Sequence, residues 1–369
     1  MESAHNTFFT DIQDVKEDLH TLVEHEMFGT IASRLFPDTP IEEVKHQLMA
    51  IDSVRQFQLT FMYRACQWVR DNTMSHFTFS GTEHMDNRPT LFISNHRDIV
   101  LDAMMLQYIR VAMGLDTTHV VIGANLFEIP LMSLLAKMNK MYSIGRGGNP
   151  REYYQCLLTL SQQLRHWVTE EGESVWIAQR NGRTKDGIDH TDPALVKMIA
   201  HSSQNPDPVV ALESMHITPI SVSYEWEPCA AFKAREMCLR QQGEYTKAPG
   251  EDTQSVLSGI MDPKGQVHFT ICPPLTHEEL TATKGSPDAV AKLIDQRINE
   301  GYHLWQNNYI ADQLLTGSPI DDSPEAHAFE RYVDEACQRF PLGDEFRHRL
   351  LDIYAQALHS KEIIPNHIC

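Results

Sequence analysis

The segment SNHRDIVLD, residues 94–102, sets a histidine at the end of an apolar run, TLFIS at 90–94, and a carboxylate six residues beyond it. Histidine is the side chain best suited to take a hydroxyl proton near neutral pH, provided a carboxylate fixes its tautomer and stabilises the imidazolium. Asp102 is placed to do this for His96 one helical turn after the apolar run that begins at Ile99, and Asp98 stands where a helix N-cap belongs. In a chain with 19 histidines such a pair arises by chance, so the spacing alone does not identify a catalytic site. A second constellation, DGIDHTD at 186–192, carries Asp186, Asp189, His190 and Asp192, an oxygen-rich spacing that would suit a metal-dependent hydrolase; its plain alternative is a polar loop. Arg146 and Arg183 each follow a strand-like run, and a guanidinium fork matches the oxyanions of a phosphate or carboxylate. The glycines of GRGGNP, 145–150, match neither G-x-G-x-x-G nor the P-loop pattern.

These groups need a scaffold that delivers them to one edge. From Pro89 the chain alternates short apolar runs with helical periods: TLFIS at 90–94, HVVIGA at 119–124, MYSIG at 141–145, SVWIA at 174–178, ITPISVSY at 217–224 and VHFTI at 267–271. Strands alternating with helices predict an α/β fold, a mainly parallel sheet covered by helices, and such sheets bind ligands beyond the carboxyl ends of their strands. That is where His96 falls. Leu19, Leu22, Val23 and Met27 predict helix in the first part of the chain, and Val290, Leu293, Ile294 and Ile298 do so after Pro287. The organisation expected is an N-terminal helical region (1–80), an α/β domain (81–285) and a C-terminal helical region (286–369) packed on the sheet. The stretch from about 240 to 265 shows no sustained period and reads as a long surface excursion.

Four blocks in order resemble the glycerolipid acyltransferases, the family of the glycerol-3-phosphate and 1-acylglycerol-3-phosphate acyltransferases. SNHRDIVLD resembles their first motif, although five residues, Arg97 to Leu101, separate His96 from Asp102 where the family pattern has four; Asp102 is favoured as the partner, with Asp98 as the alternative carboxylate. MYSIGRGG with Arg146 resembles the second motif, SVWIAQRNGRTKDG the third and ITPISVSY with Pro219 the fourth. In the third block Asn181 stands where the family carries glutamate, followed by Gly182 and Arg183. The resemblance covers roughly residues 89–275. It implies transfer of a fatty acyl group from acyl-CoA or acyl-carrier protein to a hydroxyl of glycerol-3-phosphate, a lysophospholipid or a related lipid. His96 would act as general base with Asp102, and Asn95, Arg146, Asn181, Gly182 and Arg183 would contact substrate. It implies no cofactor and no catalytic metal. A catalytically weakened relative that binds lipid or a partner is the reading that Asn181 and the longer spacing favour.

Composition narrows the partners. The chain has 369 residues and a formal charge of -19, which disfavours nucleic acid and wholesale binding to anionic lipid. The interval from Lys137 to Lys185 reverses that balance, with eight basic residues against four acidic ones, and is a candidate anion-binding face. Seven scattered cysteines without a C-x-x-C pair indicate a reducing compartment. No apolar run is long enough to span a bilayer and no export signal is visible at the N-terminus, so the expectation is a cytoplasmic protein. A lipid acceptor would then call for peripheral contact with the cytoplasmic face of a membrane, and LFEIPLMSLLAKMNK, 126–140, offers an apolar face followed by Lys137 and Lys140. Met104, Met105, Leu106, Ile129, Leu131, Met132, Leu135 and Met138 are either an acyl-chain groove or simply core.

Overall fold

Each of the six apolar runs forms a strand, and a seventh precedes them. The computed structural model describes residues 12–124, 130–144, 150–243, 245–248 and 250–362. Its strands are β1 (Met74–Ser80), β2 (Leu91–Ser94), β3 (His119–Gly123), β4 (Met141–Ile144), β5 (Val175–Ala178), β6 (Thr218–Tyr224) and β7 (Gly265–Ile271). They build one sheet in the order β1-β7-β6-β2-β5-β3-β4. Only β6 and β7 pair antiparallel; every other neighbouring pair is parallel. The fold is α/β.

The four residues of β2 are buried, as a central strand covered on both faces requires. Their alternation sends Leu91 and Ile93 into one core layer, against Leu160 and Leu164 of the helix Pro150–His166 and Ile294 and Ile298 of the helix Pro287–Gly301. Phe92 enters the opposite layer, with Met105, Leu106 and Ile109 of the helix Leu101–Ala112. Met105 and Leu106 are thus fully enclosed core residues, as the plainer of their two readings has it.

Three local departures from the sequence reading have physical causes. β1 lies inside the 1–80 region read as helical. It is an edge strand whose side chains are mostly exposed, so it carries no apolar signature, and its neighbour β7 supplies the pairing that defines it. The 240–265 stretch contains the helix Glu251–Met261, whose buried side is limited to Ser255, Val256 and Gly259, too small an apolar face to show as a period. Of the C-terminal helices, Pro287–Gly301 packs on the sheet; the next three, Gln306–Thr316, Pro324–Arg339 and Asp344–Glu362, form a separate core with the helix Ala230–Gln241.

The N-terminal helices enclose their own core, which includes Met138. Leu134 and Ala136 of the helix Pro130–Lys137 are buried and Lys137 lies 3.5 Å from Asp18, so this part of the segment considered for membrane contact faces protein. Among the described residues no helix is long and apolar enough to cross a membrane.

Candidate active site

Where β2 ends, the chain turns out of the sheet at Asn95 and enters the helix Leu101–Ala112. Asn95 continues the sheet with its side chain: Oδ1 accepts from Val222 N at 2.8 Å, and Nδ2 donates to Val222 O at 2.9 Å and to Asp189 Oδ2 at 3.0 Å. Expected among the substrate-binding residues, Asn95 is instead fully buried with these bonds directed at protein. His96 follows. Its Nδ1 lies 3.0 Å from Asp102 Oδ2, and its ring, 15% exposed, meets Trp176 edge-on at 5.9 Å.

Asp102 is the carboxylate on the imidazole. Oδ2 also accepts from the backbone N–H groups of Arg97 (2.7 Å) and Asp98 (3.0 Å), and Oδ1 accepts from the Tyr224 hydroxyl at 2.9 Å. This fully buried group is therefore held from four directions. Burial, together with the neighbouring Asp102 charge, pushes the Tyr224 phenol well up, so it remains a donor at neutral pH. Asp98 does different work, because its Oδ1 accepts from the N–H groups of Val100 and Leu101, both at 2.8 Å, and so caps the helix that carries Asp102.

The turn is anchored from beneath by Arg97, which is 1% exposed. Its guanidinium pairs with Asp189 and Glu227 and donates to Gly187 O, and Lys233 Nζ donates to Arg97 O (2.8 Å) and Glu227 Oε1 (2.6 Å). Two cations thus face two carboxylates in the interior. Burial alone would lower the Arg97 pKa, but Asp189, Tyr302 and Glu227 overcome it and hold the guanidinium charged. Gly187 adopts φ +81, and a Cβ there would stand 2.4 Å from Ile353 O, so the C-terminal helix presses directly on this loop.

The aspartate loop is used up in this framework. Asp189 serves Arg97 and Asn95, Asp186 accepts from Thr184 Oγ1 and Ile188 N, and Asp192 caps the helix Pro193–His201. The carboxylates point to separate partners and do not converge as a hydrolase metal site requires.

The backbone that carries Arg183 passes the histidine, with Thr184 N donating to His96 O at 2.8 Å. Arg183 Nη1 is buried without a hydrogen-bond partner. Gly182 takes φ +80 with open space where a Cβ would be, and Asn181 is exposed. Arg146, with Gly147 and Gly148, lies outside the described residues. Among the described residues of the 137–185 interval, Lys140 pairs with Glu173, Arg165 is bonded to Ser202 and Ser214, Arg180 lies 3.9 Å from Asp186, and Lys185 pairs with Glu236. Sequence reasoning missed Tyr224, Arg97, Glu227 and Lys233. Arg97 and Tyr224 stand where apolar runs stop, a signal that names no partner, and Lys233 lies inside the helix Ala230–Gln241 with no such signal.

The arrangement can hold one imidazole tautomer, with Nδ1–H directed at an anionic carboxylate and Nε2 left as a base. Residues 76–223 match the model of the family described as Acyltransferase. Among solved structures, the crystal structure of the 1-acyl-sn-glycerophosphate (LPA) acyltransferase PlsC from Thermotoga maritima is similar at 14% identity and a TM-score of 0.40, covering 79% of this chain and 94% of that one. No curated protein matches the chain.

Proposed function

We propose that this protein is an O-acyltransferase that moves a fatty acyl group from an acyl thioester, acyl-CoA or acyl-carrier protein, to a hydroxyl of glycerol-3-phosphate, a lysophospholipid or a related phosphorylated lipid. The observation that carries the reading is the His96–Asp102 contact at 3.0 Å within the family-matched segment. His96 Nε2 takes the acceptor hydroxyl proton as the oxygen attacks the thioester carbonyl carbon. The tetrahedral intermediate then expels the thiolate, which takes the proton from the imidazolium, leaving ester and free thiol with His96 neutral again. No acyl-enzyme is required. Asp102, oriented by Tyr224 and two backbone N–H groups, keeps Nδ1–H in place and stabilises the imidazolium.

Arg183 is an acceptor contact that the family resemblance suggests, and its Nη1 is buried without a hydrogen-bond partner. Arg146 is the second acceptor contact that the family resemblance suggests, and Gly182 leaves room for the acceptor to approach. The test is acceptor-dependent thiol release from acyl-CoA and from acyl-carrier protein, with glycerol-3-phosphate and lysophosphatidate, in wild type and His96→Ala. Release that disappears in the variant is expected. Equal release in both would remove His96 from the mechanism, and acceptor binding without release by wild type would favour a non-catalytic relative.

A further inference from the structure

A second cluster of ligating groups stands at the opposite edge of the sheet, where β3, β4 and β5 begin. His119 opens β3, Lys140 immediately precedes β4 and Glu173 lies just before β5. The ladder fixes their spacing: His119 is in register with Val175 and Val120 with Met141, while His119 N donates to Ser174 O at 2.9 Å and Val120 N to Lys140 O at 3.0 Å. Glu171 ends the π-helical turn Trp167–Glu171, and Trp167 stacks on His119 with ring centroids 4.0 Å apart and planes inclined by 10°. One ligand atom from each of His119, Glu171 and Glu173 falls within 4.8 Å of the other two.

His119 is the informative member. It is 8% exposed, and its Nδ1 has no partner. Nε2 lies 2.8 Å from Glu173 Oε2, yet neither ring nitrogen makes an aligned hydrogen bond. A buried imidazole normally has its nitrogens satisfied, and here the two carboxylates beside it are acceptors on a partly open surface. Tetrahedral zinc with bonds of about 2.1 Å sets neighbouring ligands about 3.4 Å apart, so these donors close on one ion with small side-chain movements.

We propose that His119, Glu171 and Glu173 form a site for a zinc-class divalent cation, with water as the fourth ligand. One imidazole and two carboxylates favour a first-row transition ion over calcium. Lys140 is the competitor: its ammonium lies 2.7 Å from Glu173 Oε2 and neutralises that carboxylate when no cation is bound. His166, 3.0 Å from Glu171 Oε1 through Nε2, orients the exposed carboxylate. The ion would join the starts of three strands to the π-helical turn, on the edge away from His96, and the proposal does not rest on acyl transfer.

The test is calorimetric titration of chelator-treated full-length protein with Zn²⁺, paired with thermal unfolding. One saturable zinc per chain and a raised Tm are expected. Because loss of an outer-shell partner alone costs about 10–100-fold in affinity, Glu171→Gln and His119→Gln should each weaken binding at least about tenfold. Lys140→Met should tighten it by removing the competing ammonium. Glu171 is exposed, so its variant reads binding without disturbing the core. Absence of saturable binding, or zinc retained equally by the Glu171 and His119 variants, as thiol binding elsewhere would give, overturns the proposal.

Discussion

Two histidines mark the two edges of one sheet, and their surroundings differ in what holds the carboxylate. At the carboxyl edge, Asp102 is fully buried and bonded by His96, two backbone N–H groups and the Tyr224 hydroxyl. At the amino edge, Glu173 is 37% exposed and meets His119 together with the Lys140 ammonium. Neutral donors orient a carboxylate without cancelling its charge, whereas a lysine cancels it. The first arrangement leaves Asp102 free to stabilise an imidazolium as it forms. The second is an electrostatic fastening between strand starts. The burial of Asp102 suits a group that must keep one geometry through a reaction cycle; the exposure of Glu173 suits a group that exchanges partners.

The largest effect is expected where this contrast is sharpest. His96→Ala should lower kcat by roughly 10²–10⁴-fold, the range of a positioned general base, and Asp102→Ala should fall in the same range because the imidazole loses its orientation. His119→Ala should leave kcat near wild type. Steady-state thiol release in the three variants decides the matter: comparable losses from His96→Ala and His119→Ala would abolish the distinction between the edges.

Tyr224→Phe tests the orientation of Asp102 more finely. The change deletes one donor and leaves Asp102 Oδ1 buried without it, a cost of about 1–3 kcal/mol. If Tyr224 acts by positioning Asp102, kcat should fall about tenfold, as a loss of about 1.4 kcal/mol dictates, with KM little changed. A rise in KM at constant kcat would assign Tyr224 to substrate binding instead.

How much of this was legible in the sequence follows the distance over which each contact acts. His96, Asp98 and Asp102 lie within seven residues, so spacing brought both carboxylates into view, and the structure puts Asp98 on the N–H groups of the turn and Asp102 on the imidazole. The strands were legible because buried parallel strands need continuous apolar runs. Tyr224, Glu227 and Lys233 reach the same turn from more than 120 residues away, and nothing local marks a tyrosine at a strand end as the partner of an aspartate. Asn95 shows the converse limit: its place in the motif was visible, but the direction of its amide, toward Val222, is a property of the neighbouring strand. β1 was hidden because an edge strand with solvent on its side chains keeps no apolar pattern.

Gly259→Ala probes how closely the capped turn is confined. In the helix Glu251–Met261, a Cβ at this position would lie 2.3 Å from Asp98 Oδ2, which is buried without a partner. The added methyl must displace Asp98 from the N–H groups of Val100 and Leu101. Overpacking of this kind costs about 1–3 kcal/mol, and denaturant unfolding should show it with an accompanying loss of kcat. Wild-type stability in Gly259→Ala would mean that the turn can yield.

The smallest effect belongs to the amino edge and depends on pH. Contact with His119, then with Lys140, outweighs desolvation and holds the Glu173 carboxyl down to about 2. Its ordinary value is about 4.3. A folded value below the unfolded one means that the unfolded chain binds more protons in this window, so the contribution to stability is present above about pH 4.3 and disappears as the pH falls toward 2. Wild type should therefore be more stable than Glu173→Gln at pH 6, in chelator to exclude metal, and the difference should shrink between pH 4.3 and 2. Its size will be modest because the carboxylate is partly exposed and salt-screened. Urea midpoints of the two proteins across this range provide the comparison. A difference that stays constant with pH would show that Glu173 contributes through packing, and would leave the amino-edge fastening without its electrostatic basis.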